Sequence, residues 1–434
     1  MADNKDKKVL NVPDKRVQND ACISSAERKK QVTTAQPKGN VPALRFPEFT
    51  EEWKEERLDE IAKLSKGVGI SKEQLSENGK PCILYGELYT RYKSEIIRKV
   101  ISKTNIESSN LKHSKRNDVI IPCSGETAID IAVARCIPFD NILLGGDLNV
   151  IRLHKGDGAF MAYQLNGKRK IDIAKLAQGV SVVHLYGENL KTIKTYNPCL
   201  QEQQKIVRLL SMLDERLEVQ NKIIEKYESL IQAIIYKEKM DGKSKGTWQR
   251  IALCKVLQER NEKNVNGRTI CSVSVSQGVV NQVEYLGRSF AAKQTSHYNI
   301  VKYGDIVYTK SPTGNFPYGI IKRSNIREDV AVSPLYGVYI PASDSIGVFL
   351  HFYFMQPSNA FNYLHPLIQK GAKNTINITN GRFLENSVLL PISKSEANTI
   401  AGILKTIQAK IEIEKNLLQS YTKEKEYLLR QMFI

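Results

Sequence analysis

The fold is decided by residues 199–239, CLQEQQKIVRLLSMLDERLEVQNKIIEKYESLIQAIIYKEK, which follow Pro198. Apolar or aromatic residues recur there on alternating spacings of four and three, and one polar residue, Gln220, interrupts the series. No Gly or Pro lies between Gln201 and Met240. Such spacing is typical of a single long helix with a coiled-coil seam. The predicted seam consists of Ile206, Leu210, Leu213, Leu217, Ile224, Tyr227, Ile231 and Ile234.

The same series occurs a second time, 194 residues later. The polar break at Gln220 recurs there as Glu414. A repeated seam predicts two copies of one helix, which can pack antiparallel within the chain and create a pseudo-twofold axis. The packing residues predicted for this second helix are Ile400, Leu404, Ile407, Ile411, Leu418, Tyr421 and Leu428.

The segments before the two helices match more faintly, but their landmarks keep the same order. Trp53 corresponds to Trp248, and Asn117-Asp118-Val119-Ile120 corresponds to Gly304-Asp305-Ile306-Val307. Pro198 and Pro391 then close the two segments. The offset drifts from landmark to landmark, as insertions in surface loops of a duplicated domain would cause.

These patterns predict an α+β protein of two mixed α/β domains joined by two long antiparallel coiled-coil helices. Short apolar runs bounded by Gly, Pro and Asn predict strands at 118–122, 148–153, 305–308 and 335–340, and short helices are expected at 56–64 and 171–178. The expected segments are a mobile polar leader (1–44), a first domain (45–199), a central helix (200–242), a second domain (243–392) and a C-terminal helix (393–434).

The composition adds a strong positive charge. The 434 residues carry 64 Lys and Arg against 46 Asp and Glu, a net charge of +18. Because the cations are spread along the chain, we expect a polyanionic partner, nucleic acid above all. The sequence has no run of 18 apolar residues, no secretory leader and no paired spacing among its seven cysteines, so a cytoplasmic location is expected.

At this point the chain resembles a known family, the specificity subunits of type I restriction-modification enzymes. The resemblance covers nearly the whole chain from Val41. It rests on RFPEFTEEWKEERLDEIAKL (45–64), on the Lys66-Gly67 turn leading to ISKEQLSENGKPCILYGELY (70–89), on the Asp118 and Asp305 turns, and on NPCLQEQQKIV (197–207). The second domain departs from the pattern, since it has no evident Tyr-Gly-Glu-Leu segment.

The resemblance implies a DNA-binding, non-catalytic subunit that serves in defence against foreign DNA. Each domain would be a target recognition domain that reads one half of a split target, and the helices would fix the spacer and dock methyltransferase subunits. Restriction subunits would join the same complex. The resemblance implies no cofactor for this chain itself; S-adenosylmethionine, ATP and Mg would be used by the partner subunits.

Motifs for chemistry are missing from the sequence itself. There is no G-x-x-x-x-G-K-S/T phosphate loop, no G-x-G-x-x-G, and no Asn/Asp-Pro-Pro-aromatic tetrapeptide. The six histidines lack metal-ligand spacing, so no metal site and no catalytic residue are predicted. A solitary nuclease is therefore disfavoured. A coiled-coil scaffold with two modules that do not bind DNA stays open as the alternative.

Polar, aromatic and basic side chains beside turns are the candidate DNA contacts, because bases are read by donors and acceptors and phosphates by cations. Each one taken alone could equally be a solvated or structural side chain. In the first domain they are Lys66, Tyr85, Tyr89, Thr90, Arg91, Lys93, Lys115, Arg116, Ser124, Gln178 and Ser181. In the second they are Lys310, Ser311, Thr313, Asn315, Lys322, Gln369, Lys370, Lys373 and Asn374.

Overall fold

The computed structural model describes residues 39–107, 109–370 and 376–434. Most of the predicted leader, residues 1–38, therefore lies outside the described residues. Along the rest of the chain a mixed α/β unit, a long helix, a second mixed unit and a second long helix follow one another. This order confirms the predicted fold class. Within the described residues, no helix combines the length and the apolarity needed to cross a membrane.

The first unit is built from short strands and helices around two sheets. Its strands are β1 (Lys54–Arg57), β2 (Ala62–Lys66), β3 (Leu75–Ser76), β4 (Lys80–Ile83), β5 (Ser102–Thr104), β6 (Lys112–His113), β7 (Asp118–Pro122), β8 (Ser124–Gly125), β9 (Arg135–Ile137), β10 (Leu143–Leu144), β11 (Leu148–Leu153), β12 (Val183–His184) and β13 (Lys194–Asn197). Its helices are α1 (Leu58–Ile61), α2 (Glu87–Thr90), α3 (Ala128–Ile131), α4 (Gly158–Asn166), α5 (Lys170–Lys175) and α6 (Gly187–Leu190).

An antiparallel sheet in the order β2-β11-β7-β9 forms the centre of the first unit, and a second sheet has the order β3-β5-β4-β10-β6. Strands β1 and β13 pair antiparallel, Lys54 with Asn197, so the two ends of the unit lie side by side. The central strands are almost wholly buried, which is why β7 and β11 read as apolar runs instead of alternating. The predicted helix at 56–64 is too long at both ends. The structure has only one helical turn there, α1, which lies between strands β1 and β2.

The first long helix, α7 (Leu200–Lys245), leads from this unit into the second. It ends at Gly246, whose left-handed φ of 70° lets the chain leave the helix.

The second unit repeats the central arrangement. Its strands are β14 (Trp248–Ala252), β15 (Leu257–Glu259), β16 (Cys271–Ser274), β17 (Gly278–Asn281), β18 (Asn299–Val301), β19 (Ile306–Tyr308), β20 (Ile321–Arg323), β21 (Val330–Val332), β22 (Gly337–Pro341), β23 (Gln369–Lys370), β24 (Ile376–Asn377) and β25 (Ser387–Pro391). Its helices are α8 (Gln282–Leu286), α9 (Asp344–Phe354), α10 (Pro357–Leu364) and α11 (Asn380–Phe383), and short 3-10 turns occur at Leu253–Lys255 and His365–Leu367, as one does in the first unit at Lys72–Gln74.

The sheet β15-β22-β19-β20 corresponds to β2-β11-β7-β9, and the β14–β25 ribbon corresponds to β1–β13. The predicted strand at 335–340 begins later, at Gly337, because Leu335 lies in an exposed turn. The missing Tyr-Gly-Glu-Leu segment also has a structural counterpart. Where β4 runs into helix α2, the corresponding strand β16 turns back directly into β17.

The second long helix, α12 (Lys394–Gln431), lies antiparallel on α7. Its first turn is capped by Ser393, which accepts from the backbone N–H of Glu396. The predicted packing residues face the interior but belong to two clusters instead of one seam. Ile206, Leu210, Leu213 and Leu428 pack with the first unit, whereas Ile224, Ile231, Ile400, Leu404, Ile407 and Ile411 pack with the second, against which Tyr227, Ile234 and Leu418 are half-buried. Leu217 and Tyr421 are half-buried as well.

Each unit has the same aromatic pair beside the long helices. The ring of Trp53 packs edge-on against Phe160 of α4 at 5.7 Å, and Trp248 packs edge-on against Phe349 of α9 at 5.4 Å. Both tryptophans are almost fully buried. Trp53 also packs in one cluster with Ile206, Leu210 and Leu428 of the long helices, and the indole N–H of Trp248 donates to Glu396 of α12 at 2.6 Å. The landmark tryptophans therefore connect each unit to the helix pair.

A buried polar network adds to the attachment of the first unit. Lys425 of α12 donates to Asp214 of α7 and to Glu95 of the first unit, both at 2.5 Å. Tyr163 donates to the second oxygen of Asp214 at 2.7 Å. The carboxylates raise the pKa of Lys425 although burial opposes this. The ammonium group therefore stays charged and links both helices to the first unit.

Candidate nucleic-acid interface

The turn before β7 fixes the orientation of the first central sheet. Asn117 adopts a left-handed φ of 78°, and the next residue, Asp118, points its carboxylate back into the turn. That carboxylate accepts from the backbone N–H of Lys115 at 2.8 Å and from Arg152 at 2.8 and 2.7 Å. A bidentate guanidinium pair of this kind holds its geometry tightly.

The second unit has the same turn. Gly304 takes the left-handed φ of 92°, and the carboxylate of Asp305 accepts from the backbone N–H of Lys302 at 2.8 Å. Arg260 supplies the bidentate partner at 2.6 and 2.9 Å, but it follows β15, whereas Arg152 lies on β11. The two carboxylates thus have one role with arginines from different strands. The match of the two sequence motifs reflects a shared backbone frame.

Three predicted contact residues of the first unit meet at one end of its central sheet. Strands β2 and β7 both pair antiparallel with β11 and therefore run in the same direction, so Lys66 and the residues after Pro122 lie at the same end. Ser124 pairs with His184 of β12, and His184 in turn exchanges backbone hydrogen bonds with Gln178. We call Lys66, Ser124, Gln178, His184 and Tyr186 the first-unit edge.

Side chains of the first-unit edge differ in their availability. Lys66 and Gln178 are exposed, and so is the neighbouring Ser181. Ser124 is buried and donates to Asp147 at 3.1 Å, so its hydroxyl has a structural role. The Nζ atom of Lys66 lies 5.9 Å from the centre of the Tyr186 ring, a cation–π arrangement.

His184 and Tyr186 were missed by the sequence analysis. Their rings stack with a centroid distance of 6.3 Å and face solvent. The alternation in Val183-His184-Leu185-Tyr186, apolar then aromatic, was the signal that could have identified them, because a half-buried strand presents every second residue to solvent.

The cluster between Tyr85 and Lys93 lies beside the same edge, but its members are partly engaged. Tyr89 is close to Gly125, since a Cβ on that glycine would lie 3.8 Å from the tyrosine hydroxyl. Thr90 donates to the carbonyl of Gly86 at 2.7 Å. Arg91 pairs with Glu87 at 3.0 Å, whereas Tyr85 is half-buried and Lys93 is exposed.

Lys115 and Arg116 do not join this edge. They precede β7 and therefore lie at the opposite end of the central sheet from Ser124. The backbone N–H of Arg116 donates to Asp140, and the side chain of Asn117 donates to the carbonyl of Gly156. One DNA surface would not include both ends of this sheet.

In the second unit, Lys310, Ser311, Thr313 and Asn315 occupy the turn after β19, the end that corresponds to the first-unit edge. Lys310 has a left-handed φ of 61°, which is uncommon for a residue with a side chain. Ser311, Thr313 and Asn315 are exposed around the buried ring of Phe316. The turn therefore presents three polar side chains on a fixed base.

Of the remaining candidates of the second unit, two lie on a short strand, two lie outside the described residues, and one, Lys322, is buried. Gln369 is exposed and lies with Lys370 on β23, which pairs with β24. Lys373 and Asn374 lie outside the described residues.

Lys322 is the candidate that the structure contradicts. Its side chain is 2% exposed on β20, opposite Val307 of β19. Burial lowers the pKa of its ammonium to about 8. Burial, together with the charges of Lys322 and Arg323, lowers the pKa of the nearby His351 to about 3. A buried ammonium cannot reach a phosphate, and the sequence missed this because a three-residue strand has too few positions to reveal which face is covered.

The chain is similar to known proteins in sequence and in fold. Residues 50–229 match the family model of the type I restriction modification DNA specificity domain. The solved S subunit of the type-I restriction-modification system from M. genitalium is similar over 91% of this chain and 99% of that chain, with 16% identity and a TM-score of 0.59, which shows a shared fold.

Two further structures are similar over 88% of this chain. One comes from work on complex assembly and conformational transition of the type I R-M system (12% identity, 97% of that chain, TM-score 0.48). The other is the HsdS subunit from Thermoanaerobacter tengcongensis (15% identity, 96% of that chain, TM-score 0.34).

Proposed function

We propose that this chain serves in DNA sequence recognition and that each of its two units reads one half of a bipartite target, since residues 50–229 match the type I restriction modification DNA specificity domain. The helix pair would hold the two half-sites at a fixed spacing. The chemical steps would belong to methyltransferase and restriction subunits, which would supply S-adenosylmethionine, ATP and Mg.

The observation that carries this proposal is the pseudo-twofold arrangement of two similar units on one antiparallel helix pair. Double-stranded DNA has its own twofold axes, so two units related in this way can approach equivalent grooves at two positions along one duplex. The first-unit edge and the turn at Lys310–Asn315 occur at corresponding ends of the two central sheets. The excess of cations favours approach to the phosphate backbone.

Partner docking is supported by matching apolar surfaces on the helices. Val219 of α7 is 52% exposed and Ile223 is half-buried one turn later. The residues 194 positions further on, Ile413 and Leu417 of α12, are 64% and 38% exposed. Exposed apolar residues repeated at equivalent positions favour two copies of one partner, each on an equivalent face. We propose that these faces receive two methyltransferase subunits.

Exchange of one unit tests the proposal. Residues 45–199 would be replaced by the corresponding unit of a related protein while Glu95 and Tyr163, which contact the helices through Lys425 and Asp214, are retained. Methylated adenines would then be mapped in DNA from cells that carry the variant and its methyltransferase partner. One half of the target should change, and the other half and the spacer should stay the same.

The reciprocal exchange of residues 243–392 is the matched control and should change only the other half. If both halves changed together in either exchange, the assignment of one unit to one half-site would be wrong.

A further inference from the structure

Residues 183–186 alternate between the core of the first unit and solvent. Val183 and Leu185 are 7% and 1% exposed, whereas Tyr186 is 46% exposed and His184 is exposed as well. The two rings stack on the outer face of the strand, 6.3 Å apart and inclined by 24°. One short segment thus presents two adjacent rings to solvent.

The backbone beneath these rings is fixed on both sides. His184 donates to the carbonyl of Gln178 at 2.7 Å and accepts from it at 2.9 Å. Leu185 donates to the carbonyl of Cys123 at 2.7 Å, and the amide of Asn149 donates to the carbonyl of Leu185 at 2.9 Å. The backbone that carries the rings therefore loses little conformational freedom when a partner binds, which favours recognition.

The surroundings of the rings are apolar on one side and cationic on the other. Val180 and Val182, in the same loop, are 98% and 52% exposed. Lys66 lies over the Tyr186 ring with its ammonium 5.9 Å from the ring centre. An exposed apolar group bordered by a cation suits double-stranded DNA, because the cation can meet a phosphate while the rings meet the base edges. The imidazole nitrogens and the phenol hydroxyl match base donors and acceptors, and the ring carbons match the thymine methyl group.

The second unit has different chemistry at the equivalent place. Asn377 and Thr379 correspond to His184 and Tyr186 in the repeated frame. The hydroxyl of Thr379 accepts from the backbone N–H of Arg382 at 3.2 Å and caps helix α11. Neither position has an aromatic residue, so the residue types of the two units differ at this place in the repeat.

We infer that His184 and Tyr186 read bases in the half-site of the first unit and that Lys66 holds the phosphate beside them. This inference rests on the proposed function, since it names the reading residues of the same surface. It assigns the choice of at least one base pair to two side chains that sequence patterns did not identify.

The test uses the full chain with its methyltransferase partner in cells, followed by mapping of methylated adenines. In the double variant H184A/Y186A we expect at least one position of the first half-site to accept other base pairs. Discrimination at that position should fall roughly 5- to 150-fold, which corresponds to about 1–3 kcal/mol for a good base contact. The second half-site and the spacer should be unchanged.

His154→Ala is the matched control. His154 is also an exposed histidine of the first unit, but it follows β11 and lies at the opposite end of the central sheet. Its replacement should leave the whole target unchanged. The milder variant Tyr186→Phe guards against loss of folding, because it keeps the ring and removes only the hydroxyl. Alone or combined with His184→Asn, it should still relax the base specificity of the first half-site.

The outcomes separate the inference from the proposed function. If exchange of residues 45–199 changes the first half-site while folded H184A/Y186A and the milder variants keep the original target, the inference is overturned and the proposed function stands. If the exchange itself leaves the target unchanged, the proposed function fails first.

Discussion

Gln220 of α7 meets Glu414 of α12, and each residue is the counterpart of the other in the duplication. The side-chain amide of Gln220 donates to the backbone carbonyl of Glu414 at 3.3 Å and also to its carboxylate. Their separation of 194 residues equals the offset between the two helix copies. In a twofold arrangement, a residue touches its own counterpart only on the axis. The pseudo-twofold axis of the protein therefore passes between these two side chains.

Replacing this polar pair should show how its hydrogen bonds contribute to stability. Gln220→Leu should cost about 1–3 kcal/mol in the free energy of unfolding, because the half-buried carboxylate of Glu414 loses its donor. The double variant Q220L/E414L should recover most of that loss, since apolar residues suit the helix interface. Urea unfolding measures both effects. Asn221→Ala, at an exposed neighbouring position, should change the free energy of unfolding little. A double variant as unstable as Q220L would show that the contact between Gln220 and Glu414 does not matter for stability.

Lengthening both helices at the axis tests whether they set the spacer. One heptad inserted after Gln220 and one before Glu414 would keep the antiparallel pairing and move the units apart by about 10.5 Å, from seven residues at about 1.5 Å each. At about 3.4 Å per base pair the spacer should grow by roughly three pairs, with lower activity because the half-sites also rotate by about 100°. Methylated-site mapping provides the readout. An active variant that kept the original spacer would show that the helices do not fix the distance.

Two exposed lysines at opposite ends of the first central sheet should differ in their effect on DNA binding. Lys66→Ala should weaken binding and flatten its dependence on salt by up to about 0.9 in the logarithmic slope, the value for one lost phosphate contact. Lys115→Ala should leave the slope unchanged, because Lys115 lies away from the first-unit edge. Titration of the assembled complex onto target DNA at several salt concentrations checks both. Equal slopes for the two variants would refute the assignment of the edge.

The buried Lys322 should make stability depend on pH above neutrality. Its folded pKa of about 8 is below the ordinary value of 10.5, so between these pH values the unfolded chain binds a proton that the folded protein has released. The contribution of Lys322 to folding stability should therefore rise with pH across this window, by about 3 kcal/mol at most, and comparison with Lys322→Met isolates it from the other titrating groups. Lys322→Met should be more stable than the natural protein at pH 7, and the difference should vanish near pH 10.5.

Urea unfolding from pH 7 to pH 10.5 measures this dependence. Lys255→Met, at an exposed position, serves as the control and should follow the natural protein at every pH. A pH profile of Lys322→Met identical to that of the natural protein would mean that the Lys322 ammonium is solvated in solution.

The helix pair and the shared turns could be predicted from the sequence because they depend on local patterns that occur twice. The heptad seam, the polar break at Gln220 and the residues around Asp118 each repeat in order. A pattern that occurs twice in the same order is less easily explained by coincidence than a single motif. The first-unit edge was predictable in part, since Lys66 and Gln178 stand beside recognisable turns.

Other features depend on contacts between residues far apart in the chain. Phe160 and Phe349, the partners of the two tryptophans, lie about a hundred residues from them and have no periodic signal. The burial of Lys322 depends on the strands laid over it. The alternation of residues 183–186 could have indicated that His184 and Tyr186 face solvent, but their position beside Lys66 depends on backbone hydrogen bonds to Gln178 and Cys123, which lie elsewhere in the chain.

The repeated apolar faces at Val219 and Ile413 have an evolutionary consequence under the proposed function. A partner that meets the same surface twice does not need to change when either globular unit is replaced. Recombination between related genes, with crossovers in the repeated helix segments, could therefore create new targets in one step while assembly is inherited intact. Diversification of recognition would then require no coordinated mutation in any other gene.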